Sequence, residues 1–180
     1  MGLPGAQRDV EKLVDDHYLG LYRYAFRLTG SPGDAEDLTQ ETFCKAQVKL
    51  HQLADAGKAK SWLFKILRNT YLHRVRSRRQ QRVLSLETVG DVPEAPPEPP
   101  PVVDPSRLQE ALDDLPEVFR TPVILFYFED FSYRDIAEQM DLPLGTVMSR
   151  LARAKTYLRA RLAAGGEVLA NGARRTSDGL

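Results

Sequence analysis

Cysteine is nearly absent from this sequence: Cys44 is the only one in 180 residues. A single thiol excludes a disulfide framework and a cysteine-rich zinc site, and a reducing cytosol becomes the expected compartment. Long apolar runs are missing too. The longest, residues 123–128, falls far short of the ~20 residues a membrane helix needs, so no membrane insertion is expected. The first residues show no charged-then-apolar signal pattern, and no Ser or Thr stands at position 6 for myristoylation. There is no P-loop, GxGxxG, HExxH or CxxC, and His17, His51 and His73 stand in unrelated contexts. The sequence therefore predicts no enzyme, no catalytic residue, no metal and no cofactor. Net charge is the last absence, since 25 Lys and Arg balance 25 Asp and Glu.

That zero hides a segregation. Residues 1–57 carry −3, 58–82 carry +9 with no acid at all, 83–117 carry −8, 118–142 carry −3 and 143–180 carry +5. Two basic blocks around an acidic one suit two polyanion-binding surfaces, although basic stretches can equally be solvated helix faces. A hydrophobic content of 42% is ordinary for a folded soluble chain and too high for a wholly disordered one.

The clearest boundary is VGDVPEAPPEPPPVVDP at 89–105, with prolines at 93, 96, 97, 99, 100, 101 and 105. Proline removes backbone donors and fixes φ, so this stretch predicts a semi-rigid, extended or polyproline-like tether. It divides the chain into small domains at 1–86 and 106–164, with a linker at 87–105 and a flexible tail at 165–180. Apolar residues at three- and four-residue spacings predict helices at 10–28, 34–50, 61–81, 106–114, 116–129, 132–140 and 143–164, with a loop at 52–60. No run alternates convincingly with period two. The expected fold class is all-α, two small helical domains joined by a Pro-rich acidic linker.

The sharpest local signal is SYRDIAEQMDLPLGTVMSRLARAKTYLRARL at 132–162. Ser132 followed by Asp135 is a capping-box start, and a break at Asp141-Leu142 lets Pro143 take the first position of the next helix. This is the spacing of a helix-turn-helix, whose second helix enters the DNA major groove. Projected at about 100° per residue, Val147, Leu151, Ala154 and Leu158 face the preceding helix. Thr146, Ser149 and Arg153 lie opposite, with Arg150 on the flank. Hydroxyls and guanidinium groups suit base edges and phosphates. Leu142 is a poor N-cap, which leaves the first N–H groups of the helix for a phosphate. A merely soluble amphipathic helix is the plainer alternative.

Residues 58–82 interleave Lys60, Lys65, Arg68, Arg74, Arg76 and Arg79 with Trp62, Phe64 and Tyr71. Cations that follow a backbone and rings on which bases stack are what single-stranded nucleic acid needs, at about 1–3 kcal/mol per stacked base. Trp62 shares a face with Ile66 and Thr70 and is expected in the core. Phe64 and Tyr71 are expected to project toward bases. In DAEDLTQETFCKAQVKL, at 34–50, Asp37, Gln40, Glu41, Cys44 and Gln47 share one broad arc, while Ala35, Thr39, Thr42, Ala46 and Leu50 share another. Alone, that polar arc reads as solvated surface, and Cys44 as a small tolerated side chain rather than a redox sensor.

In their order along the chain, DAEDLTQETF, KSWLFKILRNTYLHRVRSRR and LDDLPEVFRTPVILFYFEDFSYRDIAEQMDLPLGTVMSRLARAK resemble a bacterial RNA polymerase sigma factor of the extracytoplasmic-function (ECF) type, over roughly residues 9–163. The resemblance implies a region 2 at about 9–82 and a region 4 at about 106–163. It implies docking on core RNA polymerase, at the β′ clamp helices, by Asp37, Gln40 and Glu41, with Gln47 on the same arc, and contact with the β subunit. The helix bearing Asn69, Arg76 and Arg79, with the loop at 53–60, would recognise and melt the minus-ten promoter element. Lys60, Phe64, Arg68, Tyr71 and His73 complete that candidate set. Thr146, Ser149, Arg150 and Arg153 would read the minus-thirty-five element as duplex. The linker would thread the polymerase near its active site and RNA exit path, and an anti-sigma factor would hold the protein inactive. Many family members carry Asp where this chain has His73, so a different base preference in the melted strand is expected. The alternative is a stand-alone helix-turn-helix regulator that binds duplex DNA without polymerase. Such a protein needs neither the acidic arc nor the basic-aromatic helix.

Overall fold

A computed structural model describes the backbone over residues 4–80 and 104–174, and side chains over 10–77 and 104–163. Among the described residues all regular structure is helical: α1 (Pro4–Thr29), α2 (Pro32–Lys49), α3 (Ala59–Gln80), α4 (Pro105–Asp113), α5 (Glu117–Tyr127), α6 (Tyr133–Met140) and α7 (Leu144–Arg174). In place of the loop expected at 52–60, short 3-10 turns stand at Leu50–Gln52 and Ala56–Lys58 and α3 already starts at Ala59; Asp55 caps the second turn by accepting from Gly57 N–H at 2.8 Å. Most of the expected linker lies outside the described residues. Its end is visible, where Asp104 accepts from Ser106 N–H at 3.0 Å and starts α4.

Local chemistry accounts for the helix ends. Gly30 closes α1 at φ 69, a left-handed backbone that favours glycine, and a Cβ there would lie 2.8 Å from Asp113 Oδ2 and displace that side chain. Ser31 caps α2 by accepting from Asp34 N–H, and Pro32 and Asp34 occupy its first turn. The capping box is present: Ser132 Oγ accepts from Asp135 N–H at 3.2 Å, and Asp135 Oδ2 accepts from Ser132 N–H at 3.1 Å. Asp141 ends α6 in the left-handed region, at φ 53.

Helix ends differ from the sequence reading by one or two residues in most elements, and α1 starts at Pro4 rather than at 10. Pro143 precedes α7 rather than opening it, and its carbonyl accepts from Thr146 and Val147 N–H at 3.0 and 3.2 Å. α7 then continues to Arg174, past the expected stop at 164. Gly165 and Gly166 each cost about 1 kcal/mol in a helix but remove no hydrogen bond, as a proline would.

α1, α2 and α3 pack around Leu21, Tyr24, Leu28, Leu38, Leu63, Phe64 and Leu67, all buried. Thr39 and Thr42 can join this core because their hydroxyls donate to Ala35 and Leu38 carbonyls at 2.7 Å. In the second half, α4 to α7 surround Leu112, Val123, Ile124, Leu125, Ile136, Val147 and Leu151. The two halves are not held apart. α1 packs on α4 and α5, α3 packs on α6, and one hydrophobic core runs through both.

Candidate polymerase and nucleic-acid interfaces

On α2, buried Ala35, Leu38, Thr39, Thr42 and Ala46 turn the opposite arc outward. Asp37, Gln40, Cys44 and Gln47 are exposed there. Glu41 is different. Its carboxylate is 2.7 Å from Lys45 Nζ and accepts from Arg74 Nε of α3 at 2.9 Å, while Arg74 Nη2 also donates to the Asp37 carbonyl. Partial burial would raise the Glu41 carboxyl, but hydrogen bonds and charge from Lys45 and Arg74 outweigh it and hold it below the ordinary range. Glu41 thus ties α2 to α3 as well as facing outward.

On α3 seven of the eight candidate positions separate into two stripes. Lys60, Phe64, Arg68 and Tyr71 follow one another at four, four and three residues. Asn69, His73 and Arg76 lie about 180° away at 100° per residue. Those three are exposed, and the side chain of Arg79 lies outside the described residues. The first stripe faces the second half of the chain. Lys60 Nζ donates to the Glu129 carbonyl at 2.6 Å and lies 5.0 Å from the Phe131 ring centroid. Arg68 Nη1 donates to the Gln139 carbonyl at 3.5 Å, with its Nε 3.8 Å from Glu117 Oε1. Tyr71 is half-buried against the core.

Phe64 overturns the expectation of a base-stacking ring. It is 1% exposed, between Tyr24 of α1 at 5.0 Å and Phe131 at 5.2 Å. The helical wheel gave the right periodicity but the wrong anchor. Trp62, expected in the core, is half-buried and packs against it, while Leu63, Phe64 and Leu67 set the fully buried face.

On α7, Val147, Leu151 and Ala154 are buried and Leu158 is half-buried, as the wheel required. Ser149 and Arg153 are exposed, Thr146 and Arg150 half-buried, and Ser149 Oγ donates to the Thr146 carbonyl at 3.0 Å. Among the described residues Arg150 and Arg153 have no ion-pair partner, so this face is free to meet a duplex.

Sequence reasoning missed the turn at 128–131 and the end of α6, which meet α1 and α3. Glu129 is 7% exposed and faces Lys60, Arg23 and Arg27. Burial pushes its carboxyl up to about 7, against the pull of those three cations and with a small addition from Asp130. Arg27 lies over the Phe128 ring at 3.6 Å, and Arg120 Nη1 donates to the Leu28 carbonyl at 2.9 Å. The acids and rings of FYFEDF (126–131) were visible in sequence, but nothing local said what they would touch. Among the described residues no group of His, Cys, Asp and Glu could hold a metal ion, and no helix is long and apolar enough to cross a membrane.

Sigma-70 region 2 matches residues 13–81, and Sigma-70 region 4 matches 106–158. The chain is 40% identical over 158 residues to the ECF RNA polymerase sigma factor SigE of Mycolicibacterium smegmatis, covering 85% of this chain and 61% of SigE. It is 34% identical over 153 residues to the ECF RNA polymerase sigma factor SigL of Mycobacterium tuberculosis, covering 83% and 86%. Among solved structures it is similar to the sigma factor RpoE of Bartonella quintana, crystallised with the anti-sigma factor NepR. That match has 29% identity and a TM-score of 0.71, over 87% of this chain and 98% of RpoE. Both region matches fall in chain order on the two helical halves, and SigL is matched over most of its length: the chain belongs to the ECF RNA polymerase sigma factors.

Proposed function

We propose that the chain brings core RNA polymerase to promoters, opens the DNA there and leaves the chemistry to the polymerase. The observation that carries this reading is the separation of surfaces: an exposed polar arc on α2, an exposed stripe on the basic α3 and a polar face on α7 whose arginines have no ion-pair partner among the described residues. Asp37, Gln40, Glu41 and Gln47 dock on the β′ clamp helices. Asn69, His73, Arg76 and Arg79 meet the melted minus-ten strand, joined by Lys60, Arg68 and Tyr71. Thr146, Ser149, Arg150 and Arg153 read the minus-thirty-five duplex, using hydroxyls and guanidinium forks on base edges and phosphates. Neither DNA contact has to be tight alone, because the polymerase holds both readers and raises their effective concentration.

A stand-alone regulator is set aside by family membership and by the two regions in one chain. The protein works in the cytoplasm as a non-enzymatic initiation factor, and an anti-sigma factor is its third partner besides polymerase and DNA. RpoE, the structural relative spanning both halves, was solved with such a partner. Run-off transcription with core polymerase and a promoter library tests the whole reading, and template-specific transcripts that need this chain are the expected result. Polymerase that ignores the chain on every template overturns it. For docking, Asp37→Ala with Gln40→Ala should lose polymerase in a pull-down while the α7 face still binds duplex. Unchanged capture removes the α2 assignment.

A further inference from the structure

We propose that Met148, flanked by Leu144 one turn earlier, selects thymine in the minus-thirty-five element by packing on its 5-methyl group, and that Gly145 lets the base edges come close enough for this contact. The inference rests on the reading of α7 as the helix that enters the major groove there. It adds an apolar, base-selecting contact beside the hydroxyls and guanidinium groups of Thr146, Ser149, Arg150 and Arg153.

The first two turns of α7 expose little that can hydrogen-bond. Over residues 144–151 the exposed positions are Leu144, Gly145, Met148 and Ser149, while Thr146 and Arg150 are half-buried. Ser149 Oγ already donates its proton to the Thr146 carbonyl at 3.0 Å. Leu144 and Met148 are 48% and 50% exposed. A single exposed apolar side chain is ordinary, but these two stand four residues apart on one flank of the helix and form a joint apolar edge. The N-terminal residues of a recognition helix are the ones that reach base edges. On those edges, in the major groove, the apolar group is the thymine 5-methyl, which an unbranched, polarisable thioether side chain suits well.

Charge selects DNA as the occupant of this edge over an apolar protein surface. Residues 142–163 hold Arg150, Arg153, Lys155, Arg159 and Arg161 and no acid. Among the described residues the first four have no ion-pair partner, and Arg161 pairs with Asp114. Such a field draws a partner that surrounds its methyl groups with phosphates. Gly145 is the second sign. It stands in helical backbone, where alanine is the better residue, and a Cβ built on it would meet nothing within 4 Å. The fold itself has no steric need of glycine here, so the space serves a neighbour from outside. At about 100° per residue Gly145 lies about 60° from Met148 and about 40° from Ser149, on the floor between them.

The test uses the full chain with core polymerase and upstream elements selected from a randomised duplex library. Selected elements should carry thymine at one or two positions, and deoxyuridine placed there removes the methyl while keeping every hydrogen-bonding group. Wild type should then bind about fourfold more weakly, the worth of one buried methyl. Met148→Ala should bind the thymine and deoxyuridine duplexes alike. Gly145→Ala should melt no lower than wild type yet bind the selected duplex about fivefold more weakly or worse, because its new methyl crowds the interface. Equal wild-type affinity for thymine and deoxyuridine at every position overturns the proposal and leaves the α7 reading standing. A methyl effect that survives in Met148→Ala does the same, and unchanged binding by Gly145→Ala overturns the close approach. If wild type with polymerase selects no upstream element at all, the α7 reading fails and the proposal falls with it.

Discussion

At the scale of single residues, side chains that share a helix face do different work. Asp37 and Gln40 stand free on α2, while Glu41 carries an ion pair to α3. Replacing Asp37 or Gln40 by Ala should leave thermal stability within about 0.5 kcal/mol. Glu41→Ala should cost about 1 kcal/mol, because it strands Arg74 and removes an inter-helix bond. Because the folded Glu41 carboxyl is held low, its contribution is present above the usual carboxylate range and is lost as pH falls through its folded value. Parallel melts of the three variants at neutral and acid pH check this. Arg153 is exposed on α7 and unpaired among the described residues, so Arg153→Ala should leave folding intact. It should weaken duplex binding at the upstream element by about 1–3 kcal/mol, as read by titration against promoter fragments.

Among the elements, the short α6 depends most on its ends. With eight residues it has little helical stability of its own, and the Ser132–Asp135 box bonds one N–H at each partner. Ser132→Ala should cost about 1 kcal/mol and loosen the helix-turn-helix, which hydrogen exchange on α6 would report. The turn after α5 makes stability sensitive to pH. Glu129 faces Arg23 and Arg27 from α1 and Lys60 from α3, beside Asp130, and its carboxyl stands near 7 rather than at 4.5. The folded chain therefore holds this proton more tightly than the unfolded one. The Glu129 contribution to stability is fully present on the acid side and is lost as pH rises from about 4.5 toward about 7. His17 on α1 opposes this trend: burial lowers its pKa, with Asp16 raising it and Lys60 lowering it. Subtracting the pH–stability curve of Glu129→Gln from that of wild type isolates the Glu129 part, expected at on the order of 1–3 kcal/mol. A flat difference curve between pH 5 and 7.5 would contradict it.

At the scale of the whole molecule, the continuous core couples two units that the family treats as separate regions. The free chain should unfold by calorimetry in one transition, and Phe131→Ala should split or broaden it by breaking the contact with Phe64. Two well-separated transitions in wild type would mean that the halves are independent.

Much of this architecture was legible in residues close together in sequence. Ser31-Pro32, the Ser132–Asp135 box, the Asp141 break and the apolar spacings of α2 and α7 work within a few residues, so the chain itself determined its helices, their caps and the outward faces of α2 and α7. The face of α3 was a different matter. Its cations and rings surround the helix, and a helical wheel cannot rank Trp62 against Phe64 without a neighbour. Only Tyr24 from 40 residues earlier and Phe131 from 67 residues later decide that Phe64 is buried and that Lys60 and Arg68 are occupied. Local backbone and capping energies are set by nearest neighbours, whereas burial and charge pairing belong to partners that only the folded chain brings together.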